Sequence, residues 1–169
     1  TDFIALAGFG PAFVNMALVG TLGMAYILAV GGELNGPVIG AILTVVGFAA
    51  FGKHPRNILP IMLGVFLGSL AKPWNVDDPS ILLAALFGTT LAPIAGRFGW
   101  HWGVVAGFVH SSAALTVGPV HAGLNLYNNG FAAGIVAAVL VPVITAIQAI
   151  TRPERGPPAE AGDKAAGRN

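Results

Sequence analysis

The chain has 169 residues, of which 8 are Lys or Arg and 7 are Asp or Glu, so that 9% are charged and 55% are hydrophobic. A soluble globular domain is about one quarter charged, and this composition therefore excludes a soluble fold and predicts an integral membrane protein. Cysteine is absent, which excludes a disulfide framework, a zinc–thiolate site and an iron–sulfur centre. A formal net charge of +1 without a basic cluster and the lack of a Gly-rich phosphate loop argue against nucleic-acid and nucleotide partners. We expect no cofactor and no metal ion.

Six apolar segments are candidates for membrane-spanning helices, which need roughly 20 mostly apolar residues. In chain order they are 12–30, 36–51, 58–71, 80–96, 101–118 and 131–150. The segments are continuous and lack the alternation of a barrel strand. The second and third are short, so they either recruit flanking residues or form broken or re-entrant helices. The predicted fold class is an all-α integral membrane protein with about six transmembrane helices, some of them short or broken.

The distribution of charge predicts the topology. With the first residue in the cytoplasm and six crossings, seven of the eight basic residues lie on the cytoplasmic side, as the positive-inside rule requires. The outside then holds one basic residue and three acidic ones: Lys72, Glu33, Asp77 and Asp78. A re-entrant hairpin of the second and third segments would bury Lys53 and Arg56 at the bilayer midplane, which is expensive. We therefore favour six crossings with both ends inside.

Composition divides the chain into two parts. Residues 1–151 form the transmembrane helical domain, and the polar residues 152–169, rich in Pro, Gly and Ala, are expected to be a disordered cytoplasmic tail. The chain begins at Thr1 with no signal-peptide pattern. We interpret it as the C-terminal part of a longer protein.

Glycines recur four residues apart in several segments, a spacing that permits close helix packing in lipid. The pairs and triplets are Gly36/Gly40, Gly64/Gly68, Gly99/Gly103/Gly107 and Gly130/Gly134. We expect intramolecular packing, with a homo-oligomer formed through one such face as the alternative. Two Asn-Gly-x-x-x-Gly motifs, at 35–40 and 129–134, each open an apolar segment. They indicate either an internal repeat, as in many transporters, or coincidence in a Gly-rich chain.

Polar residues at membrane depth are the functional candidates. His110 lies near the middle of the fifth segment, and Thr89 and Thr90 lie equally deep in the fourth, before a Pro93 that is expected to kink it. An ionisable group inside the membrane is a functional hypothesis by default, here a proton relay or a station for a polar solute. The alternative is a neutral His bonded to a neighbouring helix.

Two connecting segments carry further polar groups. The uncharged stretch 121–130, which includes Asn125, Asn128 and Asn129, suits a neutral polar solute or a hydrated ion. It also suits a re-entrant loop or a plain capped turn. The loop that carries Lys53, His54 and Arg56 is expected to be a positive-inside anchor, with gating or partner binding as the alternative.

Two stretches carry a family resemblance. GKHPRNILPIMLG at 52–64 and HAGLNLYNNGFAAG at 121–134 resemble the bacterial membrane-protein family named domain of unknown function 1576, and the chain matches the C-terminal part of longer members. The resemblance implies a multi-pass protein of the bacterial cytoplasmic membrane. The family has no assigned activity, so it supplies no catalytic residues.

The predicted function is that of a transporter or channel component for a small polar solute. Seven residues are expected near its pathway: Asn15, Thr89, Thr90, His110, Asn125, Asn128 and Asn129. The alternative is a non-transporting membrane subunit that binds partner helices. An enzyme is not expected, because no acid–base pair lies at membrane depth in the sequence.

Overall fold

The computed structural model describes residues 3–117 and 125–151, without the side chains of residues 125 and 126. The predicted tail at 152–169 and the first part of the polar stretch, including His121, lie outside the described residues. Within the described residues every regular element is a helix, which confirms the predicted all-α fold. The α-helices are α1 (Phe3–Ala7), α2 (Phe9–Ala29), α3 (Gly36–Ala49), α4 (Pro55–Leu70), α5 (Pro79–Gly88), α6 (Ala92–Phe98), α7 (Trp100–Thr116) and α8 (Asn125–Thr151).

In the described part of the chain, three helices are long and apolar enough to cross a membrane: Phe9–Ala29, Pro79–Phe98 and Tyr127–Thr151. The middle one comprises α5, a short 3₁₀ turn and α6. Helices α3 and α4 are apolar but have only 14 and 16 residues, so they are about 21 and 24 Å long at 1.5 Å per residue. Both are shorter than a hydrocarbon layer of about 30 Å, in agreement with the predicted short or broken segments.

The break between α5 and α6 follows from Pro93. Proline has no amide hydrogen, so the carbonyl of Thr89 loses the donor that a regular helix would supply four residues later. The amide of Ala92 donates to that carbonyl instead, and residues Thr89–Leu91 form a 3₁₀ turn. The sequence-based expectation of a local irregularity here is confirmed. The chain then turns into α7 at Gly99, whose φ of 104° is in the left-handed region that glycine tolerates.

Helices α4 and α7 run parallel in close contact. A Cβ on Gly64 would overlap the carbonyl oxygen of Val104, and one on Gly107 would overlap that of Ile61. These are two of the glycines whose spacing predicts intramolecular packing, and the prediction is confirmed at this interface. The core of the described part continues around α2, α3 and α5, where Ile27, Val45 and Leu86 belong to one buried cluster.

The two Asn-Gly motifs are not structurally equivalent. Asn35 caps α3, since its side-chain oxygen accepts a hydrogen bond of 3.1 Å from the amide of Val38. In the second motif, Asn129 lies four residues after the start of α8 at Asn125, so it does not cap its helix. Asn129 is buried and forms a hydrogen bond with a neighbouring helix, so its side chain acts between helices and not as a cap.

Candidate functional site

The loop between α3 and α4 is fixed from both sides by amide side chains. Asn15 of α2 donates from Nδ2 to the carbonyl of Ala49 at 2.9 Å and to that of Lys53 at 2.7 Å. Asn57 of α4 donates to the carbonyl of Gly52 at 3.0 Å and accepts from the amide of His54 at 2.9 Å. These four bonds satisfy backbone groups that an apolar surrounding would otherwise leave unpaired. They also fix the position from which the Lys53 side chain extends.

The ammonium group of Lys53 reaches the break in the α5–α6 helix. Its Nζ donates to the hydroxyl of Thr89 at 2.9 Å and lies 4.9 Å from the ring centroid of Phe48, within the range of a cation–π contact. Thr89 lies ten residues after Pro79 in a helix of 20 residues, so the cation lies half-way along this apolar helix. Burial lowers the pKa of Lys53 to about 8, because a low-dielectric surrounding disfavours the charged form.

A cleft of about 450 Å³ opens beside this ammonium group. Its described lining is Phe48, Phe51, Gly52, Lys53, Asn57, Thr90, Ala92 and Pro93. The volume is within the range of small-molecule sites. A second, smaller cleft of about 190 Å³ lies next to α6 and α8, and Thr90 and Pro93 line this one as well. The irregular segment around Thr90 therefore has cavities on two sides.

His110 and Asn129 form a buried pair next to α5. His110 Nε2 and Asn129 Oδ1 are 3.0 Å apart, and both side chains are buried. The histidine ring packs against Gly88, where a Cβ would lie 2.7 Å from His110 Cδ2. Because Gly88 directly precedes Thr89, one residue of helix backbone lies between the histidine pair and the Lys53–Thr89 contact.

Two buried polar atoms near the histidine pair have no hydrogen-bond partner among the described residues, His110 Nδ1 and Asn128 Oδ1. Ser111, the residue next to His110, donates to the carbonyl of Phe108 and accepts from the ammonium group of Lys72. The described hydrogen bonds of the histidine and the serine therefore go to different partners, and they do not form a nucleophile–base pair.

An acidic cleft of about 330 Å³ lies at the other end of α5. Glu33, Asp77 and Asp78 line it together with Asn35. The connection before α3 and the turn before α5 therefore meet at one end of the molecule, as expected for two connections on the same side of a membrane.

Comparison with known proteins gives one match. The family described as "Protein of unknown function (DUF1576)" matches residues 1–146. The chain belongs to this family. No curated protein and no solved structure matches it.

In this DUF1576 chain the structure divides the residues predicted for the pathway into three groups. Thr90 lines the cleft and Thr89 bonds to Lys53 beside it, Asn15 holds the loop, and His110, Asn128 and Asn129 are buried outside the lining of the cleft. The side chain of Asn125 is outside the described residues. The first and third groups approach each other at Gly88, which the ring of His110 contacts directly before Thr89.

Two functional candidates of this DUF1576 chain, Lys53 and Asn57, are not among the residues predicted from the sequence. The sequence neighbours of Lys53 include His54 and Arg56, and such a group is typical of solvated anchor charges. One available signal was the short length of the segments on either side of Lys53. Helices of about 21–24 Å do not span the hydrocarbon layer, so the loop between them can lie inside the membrane. Asn57 lies at the third residue of α4, a position from which a side chain bonds back to the cap residue.

Proposed function

We propose that this chain is a component of a transporter or channel in the bacterial cytoplasmic membrane, and that the cleft beside Lys53 and Thr90 binds a small polar solute. The observation that carries the proposal is the Lys53 ammonium group bonded to Thr89 at the break of a membrane-length helix. An ionisable group at this depth is costly and usually marks a pathway. Broken helices form the binding sites of many secondary transporters.

The polar residues next to α5 extend this site. The His110–Asn129 pair and Asn128 supply a neutral acceptor and donor set at the same depth as Thr89, separated from it by Gly88. We keep the orientation favoured by the positive-inside rule, with Arg97 on the cytoplasmic side and the acidic cleft outside. With Lys53 at this depth, the α3–α4 pair enters the membrane from the outside as a re-entrant hairpin and replaces two of the six crossings favoured from the sequence.

Solute uptake by liposomes that contain the purified protein tests the proposal. Stopped-flow light scattering would follow the entry of a panel of small neutral and anionic solutes into liposomes with wild type, Lys53→Gln or Arg56→Gln. Arg56 is an exposed charge at the start of α4, three residues from Lys53, and provides the matched control. We expect wild type to accelerate at least one solute, Lys53→Gln to reduce that rate roughly tenfold, in line with the loss of one charge-assisted hydrogen bond, and Arg56→Gln to retain it.

Two results would contradict the proposal. One is permeability equal to that of empty liposomes for every solute, with all three proteins folded by circular dichroism. The other is equal uptake by wild type and Lys53→Gln, which would place any pathway elsewhere.

A second candidate function, a membrane subunit that binds partner helices, is favoured by a separate observation. At Gly36 and Gly40 of α3, and at Gly130 and Gly134 of α8, an added Cβ would have no atom within 4 Å. Their four-residue spacing suits close approach of another helix. The partner would be a second copy of the chain or a different membrane protein.

Subunit counting in lipid bilayers tests this candidate. Gly40→Leu and Gly134→Leu are expected to reduce association, whereas Val139→Ala, at an exposed position on the other face of α8 from Gly130 and Gly134, leaves it unchanged. A monomer in wild type, together with no co-purifying membrane protein, would contradict it.

A further inference from the structure

We infer that the solute of the Lys53 cleft is a small organic carboxylate, bound with its anionic group on the Lys53 ammonium and its hydrocarbon part against Phe48 and Phe51. This inference rests on the proposed function, since it names the chemical class of ligand for the same site. It stands on the charge, the donors and the apolar surface that the cleft presents together.

The charge around the cleft is of one sign. None of the described residues that line it is acidic. The ionisable groups nearest to Lys53 along the chain are His54 and Arg56, and Arg97 lines the smaller cleft that shares Thr90. Buried charges in proteins are paired with an opposite charge or coordinate a metal ion. An anion in the cleft would supply the counter-charge.

The donors of Lys53 are only partly used. An ammonium group has three N–H donors, and the described contacts of Lys53 Nζ are one hydrogen bond to Thr89 and one aromatic face. Thr89 Oγ1 itself donates to the carbonyl of Leu86 at 2.6 Å, so its hydroxyl is oriented to accept from Lys53. A carboxylate oxygen in the cleft would accept from the remaining donors.

The rest of the lining is suited to a hydrocarbon part and not to a bare inorganic ion. Phe48, Phe51, Ala92 and Pro93 present apolar surface, and the cleft holds about 450 Å³, several times the volume of one water molecule. The Thr90 hydroxyl and the Asn57 amide are the other polar groups on the wall. The hydrocarbon chain of a short-chain carboxylate would contact the apolar part of this lining, and its carboxylate group would contact the polar part.

The ionisation of Lys53 provides the test. Lysines labelled with ¹³C at Cε would be followed by NMR over a pH series in phosphatidylcholine nanodiscs, with butyrate or its neutral analogue butyramide as the probe. The chain has three lysines, Lys53, Lys72 and Lys164. Lys53→Gln identifies the Lys53 signal, and Lys72→Arg with Lys164→Arg identifies it by elimination if that variant does not fold.

The expected result is that butyrate raises the pKa of Lys53 from about 8 by about one unit, which corresponds to tenfold tighter binding to the charged ammonium. Butyramide should leave it unchanged, and the signal of Lys72, whose ammonium group is bonded to Phe108 and Ser111, should not respond to either probe. No effect of butyrate, an equal effect of butyramide, or equal shifts of all three lysines would overturn the inference.

A lipid phosphate is the competing source of an anion. Repeating the series in phosphatidylglycerol nanodiscs distinguishes the two. A pKa of Lys53 that is already raised by this lipid and is insensitive to butyrate would assign the site to a headgroup and overturn the inference. Uptake of a neutral solute that depends on Lys53, without a butyrate effect, would overturn only the carboxylate. Butyrate binding without uptake of any solute would overturn only the transport function.

Discussion

At Lys53, burial and charge have opposite effects. Removing an ammonium group from water is unfavourable. The hydrogen bond to Thr89 and the contact with the ring of Phe48 replace part of the lost hydration. Burial lowers the pKa of Lys53 to about 8. A methionine would fill a similar volume, so packing alone does not explain a cation at this position. This is why we assign the residue to ligand binding.

The lowered pKa predicts a pH dependence of stability. Between about pH 8 and about pH 10.5, the pKa values of Lys53 in the folded chain and of free lysine, the unfolded chain binds more protons than the folded one. The free energy of unfolding therefore rises with pH over this range. The pKa of Lys72 is also lowered by burial and contributes with the same sign.

The comparison of wild type with Lys53→Met isolates the contribution of one group. Thermal unfolding in detergent over this pH range should show a larger rise for wild type than for the variant. The pKa of His54 is lowered below 6.5, first by burial and then by Arg56, so that residue titrates outside the window. Parallel curves for the two proteins would show that Lys53 is ionised as in water.

The pair of His110 and Asn129 predicts a coupling between two helices. Hydrogen bonds between transmembrane helices contribute about 0.6 kcal/mol on average and at most about 1.7 kcal/mol. A double-mutant cycle of His110→Ala and Asn129→Ala, measured by reversible unfolding, should give a coupling energy of this size. The cycle with Asn128→Ala is the control, since Asn128 Oδ1 has no partner among the described residues. Equal coupling in both cycles would show that the measured effect is general packing and not this hydrogen bond.

At the scale of helices, the α4–α7 contact depends on the absence of side chains. Gly107→Ala would place a Cβ against the backbone of Ile61 and Gly64, and backbone cannot give way as a flexible side chain can. We expect a loss of about 1–3 kcal/mol of unfolding free energy, the usual cost of overpacking. Gly134→Ala meets no atom within 4 Å and should change stability by less than about 0.5 kcal/mol.

Denaturant unfolding of the two variants in the same detergent gives this comparison directly. A Gly107→Ala protein as stable as wild type would contradict the close parallel packing. If Gly134→Ala lowers stability only at protein concentrations where the chain associates, the α8 glycines belong to a helix–helix interface between molecules.

The sequence predicts which helices are present better than it predicts where each helix begins and ends. Continuous apolar runs identify the spanning and the shorter helices, and Pro93 identifies the 3₁₀ turn, because hydropathy and missing amide donors are local properties. The start of the last helix at Asn125, before its apolar run begins at Phe131, was not predictable in this way. Asn129, in its second turn, bonds to His110, 19 residues away in sequence, and such a distant contact is not visible in the local hydropathy.

At the scale of the whole molecule, the candidate site is formed by contacts between distant parts of the chain. Lys53 and Thr89 are 36 residues apart, and Asn15 and Lys53 are 38 apart. Charge counting along the sequence assigns Lys53 to the membrane surface. The sequence alone does not show that the loop between α3 and α4 lies half-way along a longer neighbouring helix. The depth of Thr89, Thr90 and His110 was predictable, because position along a single helix can be counted.

The distribution of charge also organises the molecule as a whole. The acidic cleft of Glu33, Asp77 and Asp78 lies at the beginning of the Pro79–Phe98 helix, Lys53 reaches its middle, and Arg97 lies near its end. An anion that enters from the basic end meets Lys53 before it meets the carboxylates. This polarity favours binding from the side that we propose to be cytoplasmic.

The central claim is that water and solute reach Thr90, beside Lys53, at the break of a membrane-length helix. The chain has no cysteine, so single cysteines can be introduced and labelled in inside-out and right-side-out vesicles with an anionic, membrane-impermeant thiol reagent. We predict labelling of Thr90→Cys from the cytoplasmic side, slowed by butyrate. Leu91→Cys, in the core, and Val139→Cys, exposed on α8, should remain unlabelled. A Thr90→Cys protein that is unlabelled from both sides would contradict the claim.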